Sequence, residues 1–317
     1  MGTRSLWPRA GHLLGVPLSA AMSLVGEGAA LATSVFWAGS AAFFTLAGRR
    51  IGSQPVNIGR LLIALGVLSL VHLFLFGTPF PFGAGAARLG WLAASGLIGY
   101  AVGDAVLFES LVLIGPQLAM LVMTTSPLFS AILGWALLGQ GLSLPKLLAM
   151  MVTIGGIALV VGPGRNGESH PHLRRGVILG LGGALGQAVG LLFSRYGLEG
   201  GFHPVSANLI RIVAGSVVLL VWSGVRNELP GHLASFSDDW SALGLTAIGA
   251  VVGPVLGVVA SLVAIAHASL GVAATLMSLA PVLLLPAAHV LFREKVGSRA
   301  VLGTVVALAG AAGLFWL

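Results

Sequence analysis

The chain reads as long apolar runs separated by short breaks rich in Gly, Pro, Asn and charge. Ten runs emerge, at about 25–47, 58–76, 89–112, 117–138, 144–162, 175–196, 206–224, 241–265, 270–291 and 298–317. Two examples are "LLIALGVLSLVHLFLF" at 61–76 and "LAMLVMTTSPLFSAILGWALL" at 118–138. A bilayer core takes about 20 mostly apolar residues per helix. The pattern therefore predicts an all-α polytopic membrane protein with ten transmembrane helices. The breaks, such as "GTPFPFGAG", "GQGLSLPK" and "GPGRNGESHPHLRR", carry turn chemistry and leave no room for a separate soluble domain.

The pattern repeats. At an offset of 154 residues, "LAMLVMTTSPLF" lies over "VAATLMSLAPVL", Pro127 over Pro281 and Gln140 over Glu294. The register runs on to Gly156 over Gly310 and back to Gly99 over Gly253 and Gly103 over Gly257. "PVNIGR" at 55–60 and "PVSANLIR" at 204–211 share Asn-x-x-Arg at an offset of 151, which a three-residue insertion explains. The expected units are a tail over 1–24, a first five-helix repeat over 25–165 and a second over 174–317. Five spans is an odd number, so the second repeat enters from the opposite side. Inverted repeats of this kind typify transporters that work by alternating access around a site near the midplane.

Composition agrees with the pattern. Hydrophobic residues make up 57% of the chain and charged residues 8%, against about 25% charge in soluble domains. The stripes Gly182/Gly186/Gly190 and Gly249/Gly253/Gly257 let helix backbones approach closely, or they line a path. The net charge of +7 comes from single or paired basic residues at the ends of apolar runs. That placement fits membrane anchoring and not nucleic acid. With no cysteine there is no disulfide or thiol chemistry. HExxH, GxSxG, the P-loop and GxGxxG are all absent from the sequence. The expectation is no catalytic residue, no metal, no cofactor and no ATP-driven step.

The stretches "GYAVGDAVLFESLVLIGPQLAMLVMTTSPLFSAILGWALLGQGLSLPKLLAMMVTIGGIALVVG" and "GPVLGVVASLVAIAHASLGVAATLMSLAPVLLLPAAHVLFREKVGSRAVLGTVVALAGAAGLF" resemble the drug/metabolite transporter superfamily, EamA-type branch. The resemblance covers about 25–317 and rests on a Pro in the fourth span of each repeat, here Pro127 and Pro281, before a Gly-rich fifth span. The family's acidic position at the end of the fourth span is kept as Glu294 but is Gln140 in the first half. The resemblance implies a secondary transporter of small organic metabolites, such as amino acids or drug-like compounds. Export, proton coupling and cytoplasmic termini in an inner membrane are implied with it. The competing class is a membrane-embedded enzyme or lipid-handling protein. Expected partners are a small-molecule substrate and the bilayer, with a homodimer admitted and nucleic acid excluded.

Ionisable groups inside spans are costly and therefore candidates for function. Asp104 leads. It would bind a cation, a substrate amine or a coupling proton, or else pair with an Arg to hold helices together. Glu109 lies about 140° around the helix from it and nearer an end. Asn57/Arg60 and Asn208/Arg211 each share one helix face. They read either as gates meeting an anionic group or Asp104, or as a helix cap with a snorkelling Arg. Thr124, Thr125 and Ser278 beside the two prolines can satisfy freed backbone or a substrate. Trp37 could stack on a ligand, and Gln187 is a similar polar candidate. Glu27 and His267 are expected at interfaces, and His170/His172 are too few for a metal site.

Loops after odd-numbered spans carry ten of the 16 Lys and Arg, which would place the termini outside. The resemblance places them inside, so orientation stays open. "MGTRSLWPRAGHLLGVPLSA" resembles a signal peptide broken by Pro17 and reads as a tail or interfacial segment, with Met22 as an alternative start.

Overall fold

The computed structural model describes residues 12–13, 16–138, 143–161, 172–267, 276–285 and 297–316. Gln140, Glu294, His170 and most of the expected tail fall outside these. Apart from a two-residue pairing of His12–Leu13 with Val16–Pro17, every described element is helical. In chain order they are α1 (Leu18–Ile51), α2 (Ser53–Phe76), α3 (Ala86–Gly96), α4 (Asp104–Met123), α5 (Ser126–Leu138) and α6 (Leu144–Val161). Then follow α7 (Leu173–Leu198), α8 (Pro204–Val225), α9 (Leu229–Asp238), α10 (Trp240–Ala250), α11 (Val258–His267) and α12 (Ser298–Trp316). Six stretches are long and apolar enough to cross a membrane, and three shorter apolar helices lie at 126–137, 144–160 and 298–313.

Helices break where the sequence removes an amide donor. Gly115 takes φ 77°, ψ 163°, so α4 kinks before Pro116 without a loop. A residue before Pro avoids the helical region, and glycine tolerates positive φ. One of the six crossing stretches, 86–123, therefore runs through the break expected at "IGP". The fourth run is itself interrupted at Thr124–Thr125, just ahead of Pro127. Both hydroxyls there turn back onto the carbonyls of Leu121 and Val122, at 2.7 and 2.8 Å. The second repeat interrupts its helix at 278–279, ahead of Pro281. Residues 225–239 read as loop because of Asn227, Pro230 and Gly231, yet α9 forms there. Its Phe236 is buried over Gly59 of α2.

The third span of each repeat carries a π-helical turn, at Leu97–Gly103 and Val251–Gly257. These are the same positions at the 154 offset. A π turn admits an extra residue and re-aims whatever follows, and such turns collect at functional sites. Asp104 and Val258 are the residues that follow.

In lipid, helices gain little from hydrophobic burial, so close packing and interhelical hydrogen bonds hold the bundle. The glycine stripes supply the packing. A Cβ on Gly103 would lie 3.2 Å from the Gly186 Cα, and one on Gly190 would lie 3.2 Å from the Gly99 Cα. Ser95 and Ser110 donate to the carbonyls of Gly190 and Gly176 at 2.6 and 2.8 Å. The other stripe, Gly249/Gly253/Gly257, packs under Phe44, Ser40 and Trp37 of α1.

The two halves meet reciprocally. Gly156 of α6 packs on Ala307 of α12, and Gly310 packs on Thr153, the same contact with the partners exchanged. The α2–α8 core is built from equivalent residues, Ile58 with Leu209, Leu61 with Ile212 and Leu68 with Leu219. Exchange of this kind defines a pseudo-two-fold relation between the halves. Lipid-compatible side chains cover the outside, with Trp91, Trp222 and Trp240 exposed near helix ends, as interfacial belts require.

Candidate functional site

A cavity of about 230 Å³ opens where the two halves meet. The first half contributes Trp37, Ser40 and Phe44 from α1, Arg60 from α2, Tyr100 and Asp104 from the π turn and its exit, and Phe108, Met120 and Thr124 beyond. The second contributes Arg211, Gly253, Pro254, Val258, Ser278 and Pro281. Among the described residues its ionisable lining is Arg60, Arg211, Asp104 and Tyr100.

Arg60 and Arg211 each lie seven residues into their helices, about 10 Å along the axis. Both are buried, at 3% and 4% exposure, which excludes snorkelling. The helix caps are Gly52 and His203, not Asn57 and Asn208. Nor do the arginines close separate mouths. Their guanidinium carbons sit 5.7 and 4.8 Å from the Tyr100 ring centre, hence no more than 10.5 Å apart.

The duplicated motif is used differently in its two copies. Asn57 Oδ1 accepts from Arg60 Nε at 3.0 Å and from Nη2 at 2.8 Å. Arg60 Nη2 also donates to Asp104 Oδ2 at 2.5 Å, and its guanidinium lies 4.6 Å from the Phe108 ring centre. Asn208 ignores its arginine. It accepts from Tyr100 Oη at 2.6 Å and donates through Nδ2 to the Pro254 carbonyl at 2.7 Å. Tyr100 and Pro254 are equivalent positions of the two π turns, so Asn208 ties the repeats together at matching points. Arg211 has no hydrogen-bond or ion-pair partner among the described residues, and its Nε is buried without an acceptor.

Of the residues picked out from sequence, Trp37, Arg60, Asp104, Thr124, Arg211, Ser278, Pro127 and Pro281 line this one cavity, as does Gln187. Asn57 and Asn208 are fully buried behind it. Thr124's hydroxyl is occupied by the Leu121 carbonyl. Glu109 lies apart, accepting from Ser53 at 2.6 Å and from Arg175 at 3.2 Å. His267 turns back onto the Val263 carbonyl. Sequence reasoning missed Tyr100, Phe44 and Pro254. Tyr100 had one usable signal: it is one of only two tyrosines and lies over Pro254 at the repeat offset.

An apolar helical exterior, reciprocal halves and a largely apolar cavity between them that holds a few charged groups define a polytopic membrane protein with a central site. The chain belongs to the EamA-like transporter family, whose model matches residues 24–162 and again 174–316. It is a membrane transporter of the drug/metabolite superfamily. A solved crystal structure superposes with a TM-score of 0.57 at 17% identity, covering 93% of this chain and 96% of the other, which supports the fold alone. Among curated proteins, none matches the chain in sequence.

Proposed function

We propose that this protein is a secondary transporter of small organic metabolites, such as amino acids or drug-like compounds. It works by alternating access between two inverted five-helix repeats in an inner membrane. The carrying observation is that both repeats line one cavity, with the Arg60–Asp104 pair inside it.

Contacts between helix ends support alternating crossings by the first three spans of each repeat. Arg50 meets Asp239, and Glu109 meets Ser53 and Arg175, which groups the ends near 50–53, 109, 175 and 239. Arg88 meets the carbonyls of Gly197 and Glu199, and His72 meets Ser206, which groups the ends near 72, 88, 197 and 206. None of these contacts joins the two groups. Three alternating crossings in each half sort their ends in this way.

The π turns and the Pro-broken helices are the places where each repeat can bend, since their backbone hydrogen bonds are already rearranged. Asp104 is the candidate proton site, and a proton there would release Arg60. Outward direction and proton coupling come from the family.

The test is counterflow of metabolite classes in proteoliposomes, with and without a pH gradient. Flux driven by the gradient and lost in Asp104→Asn is expected. No flux of any class sinks the transport reading, and gradient-driven flux retained by Asp104→Asn removes the proton role.

A further inference from the structure

We propose that Arg211 is the docking group for a singly charged organic anion, a carboxylate on an apolar body. This rests on the transport reading and names its substrate class.

Arg60 and Arg211 are repeat equivalents, but only one is neutralised. Arg60 holds Asp104 in a contact ion pair, whereas Arg211 makes no contact ion pair among the described residues. Among the described residues the cavity lining therefore contains two guanidiniums and one carboxylate, one net positive charge. A buried, unpaired charge is expensive to maintain, and one facing a cavity awaits a partner. Arg211 is also positioned for that partner. Its guanidinium lies over Tyr100, and it makes no hydrogen bond or ion pair among the described residues. Guanidinium donors match a carboxylate in a fork geometry, and stacking on an aromatic ring fixes their plane.

The rest of the lining specifies the body of the ligand. Trp37, Phe44, Leu107, Phe108, Met120 and Met123 form an apolar, aromatic-rich wall. Asp104 is already engaged by Arg60, so a ligand ammonium finds no free carboxylate. A zwitterion leaves the excess charge in place, and an anion removes it.

The test is equilibrium binding to the purified full-length protein in detergent. The probes are 3-phenylpropanoate, its uncharged isostere 3-phenylpropanamide, and sodium chloride. A charge-assisted pair predicts that the acid binds about ten-fold or more tightly than the amide. Arg211→Gln should abolish that preference and Arg211→Lys should retain part of it. Equal binding of acid and amide to the wild type overturns the proposal, as does a preference that survives Arg211→Gln. Displacement of the acid by equimolar chloride overturns the organic class. Should Arg211→Gln not fold, the wild-type comparison with Arg211→Lys decides alone. Acid binding without flux would spare this inference and sink the transport reading. Flux of neutral or cationic compounds without acid preference would do the reverse.

Discussion

Replacing the two equivalent arginines by methionine should have unequal effects on stability. Arg60→Met removes three hydrogen bonds and leaves Asp104 without its partner, together with an unpaired, fully buried Asn57 Oδ1. Removing one member of a buried ion pair costs about 3–5 kcal/mol. Asp104 keeps 15% of its side chain exposed to the cavity, where water can enter, so the expected loss is near the lower end, about 3 kcal/mol. Arg211→Met removes no hydrogen bond and eliminates a buried charge with an orphaned donor. An unsatisfied buried group costs about 1–3 kcal/mol, so this variant should be neutral or more stable by about 1–2 kcal/mol. The gap between the variants is then about 4 kcal/mol. SDS titration of the protein in mixed micelles, followed by circular dichroism, would measure it. A double variant, Arg60→Met with Asp104→Leu, should regain most of the loss, because the carboxylate that Arg60→Met strands is removed with its partner. If Arg211→Met is destabilised as strongly as Arg60→Met, Arg211 has a partner and the charge asymmetry is wrong.

Other expectations follow from separate parts of the molecule. His203 caps α8 by accepting from Val205 N, and burial first, then neighbouring His72, lower its pKa below the usual imidazole value. Its contribution to stability is present above about pH 6.5 and lost as pH falls through the lower folded-state value. Unfolding midpoints of His203→Asn should therefore depend less on pH below about 6.5 than those of the wild type, and an unchanged slope refutes the assignment. Gly186→Leu would drive a Cβ to 2.7 Å from the Gly103 Cα, whereas Gly66 has nothing within 4 Å. The first should lose at least about 2 kcal/mol in the same titration and Gly66→Leu nothing measurable. Single cysteines at exposed Ser143 and Ser237 should react with an impermeant maleimide from opposite sides. Reaction from one side breaks the ten-crossing arrangement.

The repeat was legible because Pro, Gly and Asn-x-x-Arg recur at fixed offsets, and those residues have few structural substitutes. The helix interruptions at Pro127 and Pro281 were legible for the same reason. The π turns were not, because "LIGYAVG" and "VVGPVLG" have the composition of any glycine-rich membrane helix. Which hydrogen-bond register they adopt depends on what crosses them, namely α7 in one repeat and α1 in the other. The cavity candidates were found by asking which polar groups are costly in lipid. That criterion finds Asp104 and Arg60 but passes over Tyr100 and Phe44, whose roles come from facing a guanidinium. The helix α9 escaped notice because its turn-forming residues outweigh a single buried Phe236. The difference between Asn57 and Asn208 is invisible in identical motifs. It arises from what stands opposite, Asp104 against Arg60 in one half and Tyr100 against Asn208 in the other.

That last difference bears on how a ligand can lie in the cavity. A symmetric dimer of identical half-length chains would be obliged to treat its two arginines alike, both engaged or both free. Its ligand would then have two equivalent poses. Joining the halves into one chain removes that obligation. One Asn-x-x-Arg becomes an anchored ion pair, while in the other Asn becomes a clasp between the π turns and Arg is left available. The pseudo-symmetric shell thus surrounds a site whose two ends differ, an ion pair at one and an available guanidinium at the other.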